Sequence, residues 1–108
     1  TGNGSTDGTF VYTGFKPALL ITKRTDSSTS GDWNIVDSVR NPSNVVDKYL
    51  YINSSNAEGT ASIYDILSNG FKIRESGGGT NASGSTYIFM AFAENPFVTS
   101  TGIPCTAR

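Results

Sequence analysis

The run Thr86-Tyr87-Ile88-Phe89-Met90-Ala91-Phe92-Ala93 constrains this chain more than any other feature. It is long, uncharged and rich in aromatic and branched residues, which suit a pleated strand. Successive side chains of a strand point to opposite faces, so this strand is apolar on both. One face needs the core of its own domain, and the other needs a further covering element or a neighbouring chain. The expectation is a central strand, stacked on segments 18–22 and 33–37.

The rest of the chain repeats the theme in shorter pieces. Phe10-Val11-Tyr12-Thr13 reads as a strand stopped by Gly14. Pro17 opens the apolar run Ala18-Leu19-Leu20-Ile21-Thr22. A polar turn rich in Ser and Thr leads to Trp33-Asn34-Ile35-Val36-Asp37, which makes a hairpin with the preceding run. Tyr49-Leu50-Tyr51-Ile52 follows. Residues 61–67 fit both helical and strand spacing at Ile63, Ile66 and Leu67. The Asn69-Gly70 pair before the alternating Phe71-Lys72-Ile73-Arg74 decides for a strand and a tight hairpin.

About seven short strands with turn signals every 8–12 residues predict an all-β fold. We expect an antiparallel β-sandwich, jelly-roll-like, with no substantial helix. Residues 1–9 hold three Gly and no apolar side chain, and read as a linker or entry loop. Residues 10–97 form the domain, and 98–108 a C-terminal tail. A chain of 108 residues leaves no room for a second domain.

Composition removes several functions. The 8 basic and 9 acidic side chains are spread along the chain, and no basic patch is available for nucleic acid. With no histidine, the commonest general base, metal ligand and pH switch is missing. The single cysteine, Cys105, cannot form an intramolecular disulfide and reads as a passive tail residue. No run reaches the ~18 apolar residues of a membrane-spanning helix. The start Thr1-Gly2-Asn3-Gly4, without Met, is expected of a processed product or a fragment.

The segment Gly14-Phe15-Lys16-Pro17-Ala18-Leu19-Leu20-Ile21-Thr22-Lys23-Arg24 resembles a domain of tailed-bacteriophage structural proteins, often found at the end of tail-fibre-like chains. The similarity continues in order through Asp37-Ser38-Val39-Arg40, Lys48-Tyr49-Leu50, Asn53-Ser54 and Ala57-Glu58. It runs on through Leu67-Ser68-Asn69-Gly70-Phe71, Asn81 to Tyr87, and Ala91 to Phe97. The resemblance implies a C-terminal virion module, on a tail fibre rather than a capsid surface, assembled as a homotrimer with other virion proteins. It brings no catalytic or ligand residues with it.

Read for chemistry, the chain offers little. Asp37, Glu58, Asp65, Glu75 and Glu94 stand at strand ends and turns, and nothing pairs them as glycoside hydrolysis requires. The stretch Asp26-Ser27-Ser28-Thr29-Ser30-Gly31-Asp32 echoes a calcium loop, but the flanking helices and closing Glu are missing, and a polar hairpin turn is the expectation. Asp37 and Arg40 are expected to form a structural pair. No enzyme, cofactor or metal is therefore expected.

The candidate receptor or glycan contacts are aromatic residues that can stack on sugar rings, Trp33, Tyr49 and Tyr51, and hydrogen-bonding residues around them. The latter are Asp26, Asp32, Asn53, Asn56 and Asn81. Core packing competes with this role for Trp33. The loops 25–32, 53–60 and 76–85 would carry the contacts. The expected function is recognition of a host cell-surface glycan or protein by a tail fibre. The alternatives are capsid decoration or fibre capping without receptor activity, and a fragment of a polysaccharide-degrading tailspike.

Overall fold

The computed structural model describes residues 1–95, 97–98 and 101–102. Seven strands follow one another: β1 (Phe10–Tyr12), β2 (Pro17–Arg24), β3 (Asn34–Asp37), β4 (Val46–Tyr51), β5 (Gly59–Leu67), β6 (Gly70–Ile73) and β7 (Tyr87–Ala93). No helix occurs among the described residues. All the pairings are antiparallel. The all-β antiparallel class is therefore as the sequence predicts, and residues 61–67 lie in a strand.

The strands form one sheet in the order β1-β6-β5-β4-β3-β2-β7. Strands β2 to β6 are a simple meander, and β1 and β7 add at its two ends. This is neither two separate sheets nor a jelly-roll connection. The sheet curls over instead, with β1 and β7 as its two edges. Strands β6 and β7 are five places apart, which in a flat sheet is roughly 24 Å. Yet the Phe71 and Phe89 rings meet edge to face at 5.4 Å, and Tyr64 meets Phe71 at 5.8 Å. Curling brings the inner faces together over one core of Leu20, Val36, Val46, Ile63, Tyr64, Ile66, Phe71 and Ile73.

The position of β7 corrects the sequence reading. It is an edge strand, hydrogen-bonded to β2 alone, and not a central strand stacked on β2 and β3. On its inner face Phe89 reaches across the curl to Phe71 and still stays 44% exposed. Its outer face stays open.

Two other expectations are refined. Of the two readings of residues 1–9, linker or entry loop, the contacts are those of a loop laid onto the sheet. Gly2 N–H donates to Ser85 O at 2.8 Å, Gly8 N–H donates to Ile73 O at 3.0 Å, and Asp7 pairs with Lys72 at 2.5 Å. The β5–β6 hairpin is present, but Leu67 pairs with Gly70, so the turn residues are Ser68 and Asn69. Among the described residues no non-glycine residue has a positive φ, and Gly70 has none either. Gly70 is needed for close approach: a Cβ there would stand 2.1 Å from Val11 O on β1. Cys105 and most of the predicted tail lie outside the described residues.

Candidate functional site

Strand direction decides what the loops can do together. β2, β4 and β6 run one way, and their C-terminal ends lead into residues 25–33, 52–58 and 74–86. All three connections therefore emerge at the same end of the curled sheet. The opposite end carries the tighter turns, including 68–69. The three loops named from sequence as candidate contacts form one surface.

Hydrogen bonds tie these loops to one another. Arg24 Nη1 donates to Gly78 O at 3.0 Å, joining the end of β2 to the β6–β7 loop. Asp26 accepts from Arg24 Nε at 2.6 Å and from Thr86 N–H at 3.2 Å. The Arg24 guanidinium beside it holds the Asp26 carboxyl below its ordinary value. Asn53, from the β4–β5 loop, donates through Nδ2 to Asp32 Oδ1 at 2.8 Å. Its Oδ1 accepts the Trp33 N–H at 2.9 Å.

Between the first two loops lies a polar basin of about 200 Å³, lined by Lys23, residues 27–32 and Asn53. Serine and threonine hydroxyls, the Asp32 carboxylate and the Asn53 amide offer donors and acceptors at close quarters. Ser27 Oγ shapes the floor by accepting from the Thr29 and Ser30 N–H groups at 3.3 and 3.1 Å. Gly31 has φ of 118°, and a Cβ there would meet Arg24 Cβ at 2.5 Å. Lys23 Nζ donates to Gly31 O and closes one side. Sequence reasoning named Asp32 and Asn53 singly and took in Ser27 and Gly31 only as part of the loop 25–32. It missed Lys23, which reads as the polar end of the preceding apolar strand.

The other predicted residues divide clearly. Trp33 is half-buried just before β3 and belongs to the loop end, outside the core. Tyr49 and Tyr51 lie side by side with ring centroids 5.2 Å apart. Burial and the neighbouring Tyr49 hydroxyl push the Tyr51 phenol up to about 12. Tyr49 packs against the core, and a Cβ at Gly59 would stand 2.4 Å from its ring. Asn56 is exposed, with its N–H bonded to Ser54 Oγ at 3.1 Å.

Asn81 is a correction. It is fully buried, and its side chain is spent on the N-terminal segment. It therefore cannot be a surface contact. Asp37 and Arg40 form the expected structural pair, Nε to Oδ2 at 2.5 Å, and Arg40 Nη1 also reaches Glu58 at 2.7 Å. Among the described residues no group of three metal-ligating side chains converges.

A family model described as "Domain of unknown function (DUF7483)" matches residues 1–96. The chain belongs to this family. The DUF7483 match takes in all seven strands, the three loops and the N-terminal segment 1–9, in keeping with the packing of that segment onto the sheet. No curated protein matches the chain, and no solved structure does.

Proposed function

We propose that this DUF7483 chain is a non-enzymatic recognition module of a bacterial virus, the terminal module of a tail fibre that contacts the host cell. The observation that carries the reading is the convergence of three polar loops at one end of the curled sheet. Loops on a fixed scaffold are where binding surfaces are commonly built. The basin around Asp32 and Asn53 offers hydroxyl, carboxylate and amide groups with half-buried Trp33 alongside, a chemistry suited to a hydroxyl-rich ligand such as a cell-surface glycan. The resemblance of segments 14–24 and 81–97 to tail-fibre-like chains supports the virion setting. A shallow polar basin binds weakly alone, and several copies on one fibre would supply avidity.

The test is binding of the fluorescently labelled chain to the host cells of the virus, with unlabelled chain as competitor. Saturable binding that also blocks virus adsorption is expected. A folded sample that does not bind would overturn the reading in favour of decoration or capping.

A further inference from the structure

The two edges of the curled sheet leave a cavity between them. β1 and β7 are not paired with each other, and the gap between their inner faces holds about 210 Å³. Val11, Phe71 and Ile73 form one wall, and Tyr87 and Phe89 form the other. The cavity lies at the C-terminal end of β6 and the N-terminal end of β7, so it belongs to the end of the sheet that carries the three polar loops. No charged side chain lines it.

Among these apolar walls stands one unspent hydrogen-bond donor. Thr22 lines the cavity and is 7% exposed, and Tyr64 behind it is 1% exposed. Their hydroxyls share a single bond of 2.7 Å. Two hydroxyls bring two protons, and one bond uses one of them. Neither oxygen has a further partner among the described residues, so one O–H is left without an acceptor, a costly arrangement in a buried place. With Tyr64 donating to Thr22, the free proton is the one on Thr22, on the cavity side. The other hydroxyls of the lining already donate elsewhere: Thr9 to Thr1 O, Thr80 to Glu75, and Tyr87 to Gly78 O.

We propose that this cavity takes the acetyl group of an N-acetylated sugar. Small ligands are held in apolar clefts by a few placed polar groups, and an acetyl group matches this one in both respects. Its methyl packs against Val11, Phe71 and Phe89, and its carbonyl oxygen accepts the free Thr22 proton. Size agrees. An apolar cavity of about 150 Å³ holds benzene, so this one has room for about eight non-hydrogen atoms, enough for an acetamido group and the ring edge that carries it. Competing groups fit worse. A carboxylate, phosphate or free amine finds no counter-charge on the lining, and the bare hydroxyls of a plain hexose would leave water for one donor. A purely apolar ligand would leave the Thr22 proton unpaired. The rest of the sugar lies toward Thr80 and the β6–β7 loop.

The proposal rests on the glycan reading above and adds to it a second contact and the sugar substituent. The chain is titrated with N-acetylglucosamine and N-acetylgalactosamine, with glucose and galactose as controls, and followed through its amide chemical shifts. Titration to about 50 mM passes well beyond millimolar dissociation constants. Saturable shifts at Thr22, Phe71 and Phe89 are expected with the acetylated sugars alone. Thr22→Val removes the hydroxyl and keeps the shape, and should weaken binding about tenfold. Thr22→Ser keeps the hydroxyl and should lose no more than about fourfold, the worth of one methyl. Val11→Phe, on the edge strand β1, fills the cavity without touching Thr22 and should abolish binding. Absence of shifts at the three residues overturns the proposal. So do equal shifts with the unacetylated sugars, or wild-type affinity in folded Thr22→Val and Val11→Phe chains. Sugar binding in a chain that does not bind host cells counts against the recognition function and leaves the cavity site standing. Host-cell binding by a chain whose cavity takes neither acetylated sugar leaves that function standing and removes this site.

Discussion

Asn81 and Asn3 hold each other through a reciprocal pair of hydrogen bonds. Asn81 Nδ2 donates to Asn3 Oδ1 at 2.8 Å, and Asn81 Oδ1 accepts the Asn3 N–H at 3.0 Å. A third bond runs from Asn81 Nδ2 to Ser5 O at 2.8 Å. The pair seals the N-terminal segment onto the β6–β7 loop. Asn81→Ala strands these partners in a buried site, which costs about 2–3 kcal/mol. Thermal melting should fall by about 10 °C or more. Asn81→Asp keeps the shape but sets a carboxylate against two acceptors, so it should be no milder. A melt unchanged in both variants would show that the segment is not fastened there.

Gly70 and its neighbour Asn69 make opposite predictions. A Cβ at Gly70 would clash with Val11 O, and backbone on β1 cannot move aside without breaking its pairing with β6. Gly70→Ala should cost about 1–3 kcal/mol, the usual range for overpacking. Asn69 occupies a turn position without positive φ, and Asn69→Ala should stay within about 0.5 kcal/mol of wild type. Urea denaturation of the two variants checks this. A larger loss at position 69 than at 70 would restore the conventional reading of an Asn-Gly turn.

These cases show what was legible in the sequence. Strand positions follow from local alternation, as in β2, where Leu20 and Thr22 turn inward and Leu19 and Ile21 outward. The Asn-Gly pair announced a hairpin correctly, because turn chemistry is local. Which strands become neighbours is not local. Phe89 meets Phe71 only after the sheet has curled, so the same apolar run reads equally as a central strand or as an edge strand with one face open. Asn81 looks like any polar loop residue, since the partner that buries it lies 78 positions away. The site was read in part for the same reason. Polar loops were visible, but their arrival at one end depends on strand direction.

Acid should weaken the fold through Asp37. Burial alone would raise its carboxyl, but the Arg40 N–H, the Arg40 guanidinium and the Val39 N–H outweigh that and hold it below its ordinary value. A carboxyl lowered in the folded state binds more protons when unfolded, so stability rises with pH across its titration. The contribution is complete above the unfolded value of about 3.9 and is lost as pH falls through the lower folded value. Urea midpoints measured from about pH 5 to about pH 3 should therefore decline, and Asp37→Asn should flatten part of that decline. An identical slope in wild type and variant would remove Asp37 from the account.

Asn53 separates binding from stability at the loop end. Its amide ties the β4–β5 loop to the adjacent Asp32 and Trp33 of the β2–β3 loop and so holds the two loops that form the polar basin together. The residue is exposed, and its loss should change stability by no more than about 1 kcal/mol. Asn53→Ala releases both side-chain contacts and loosens the Asp32 wall, while the Ile52 N–H to Trp33 O bond keeps the loop bases together. Asn53→Asp still accepts the Trp33 N–H but repels the Asp32 carboxylate, so the wall is pushed open. If the basin is the contact surface, both variants should melt close to wild type and compete poorly with labelled wild-type chain for host cells, Asn53→Asp no better than Asn53→Ala. Competition equal to wild type by both would move the contact away from this end of the sheet, whatever the chain binds.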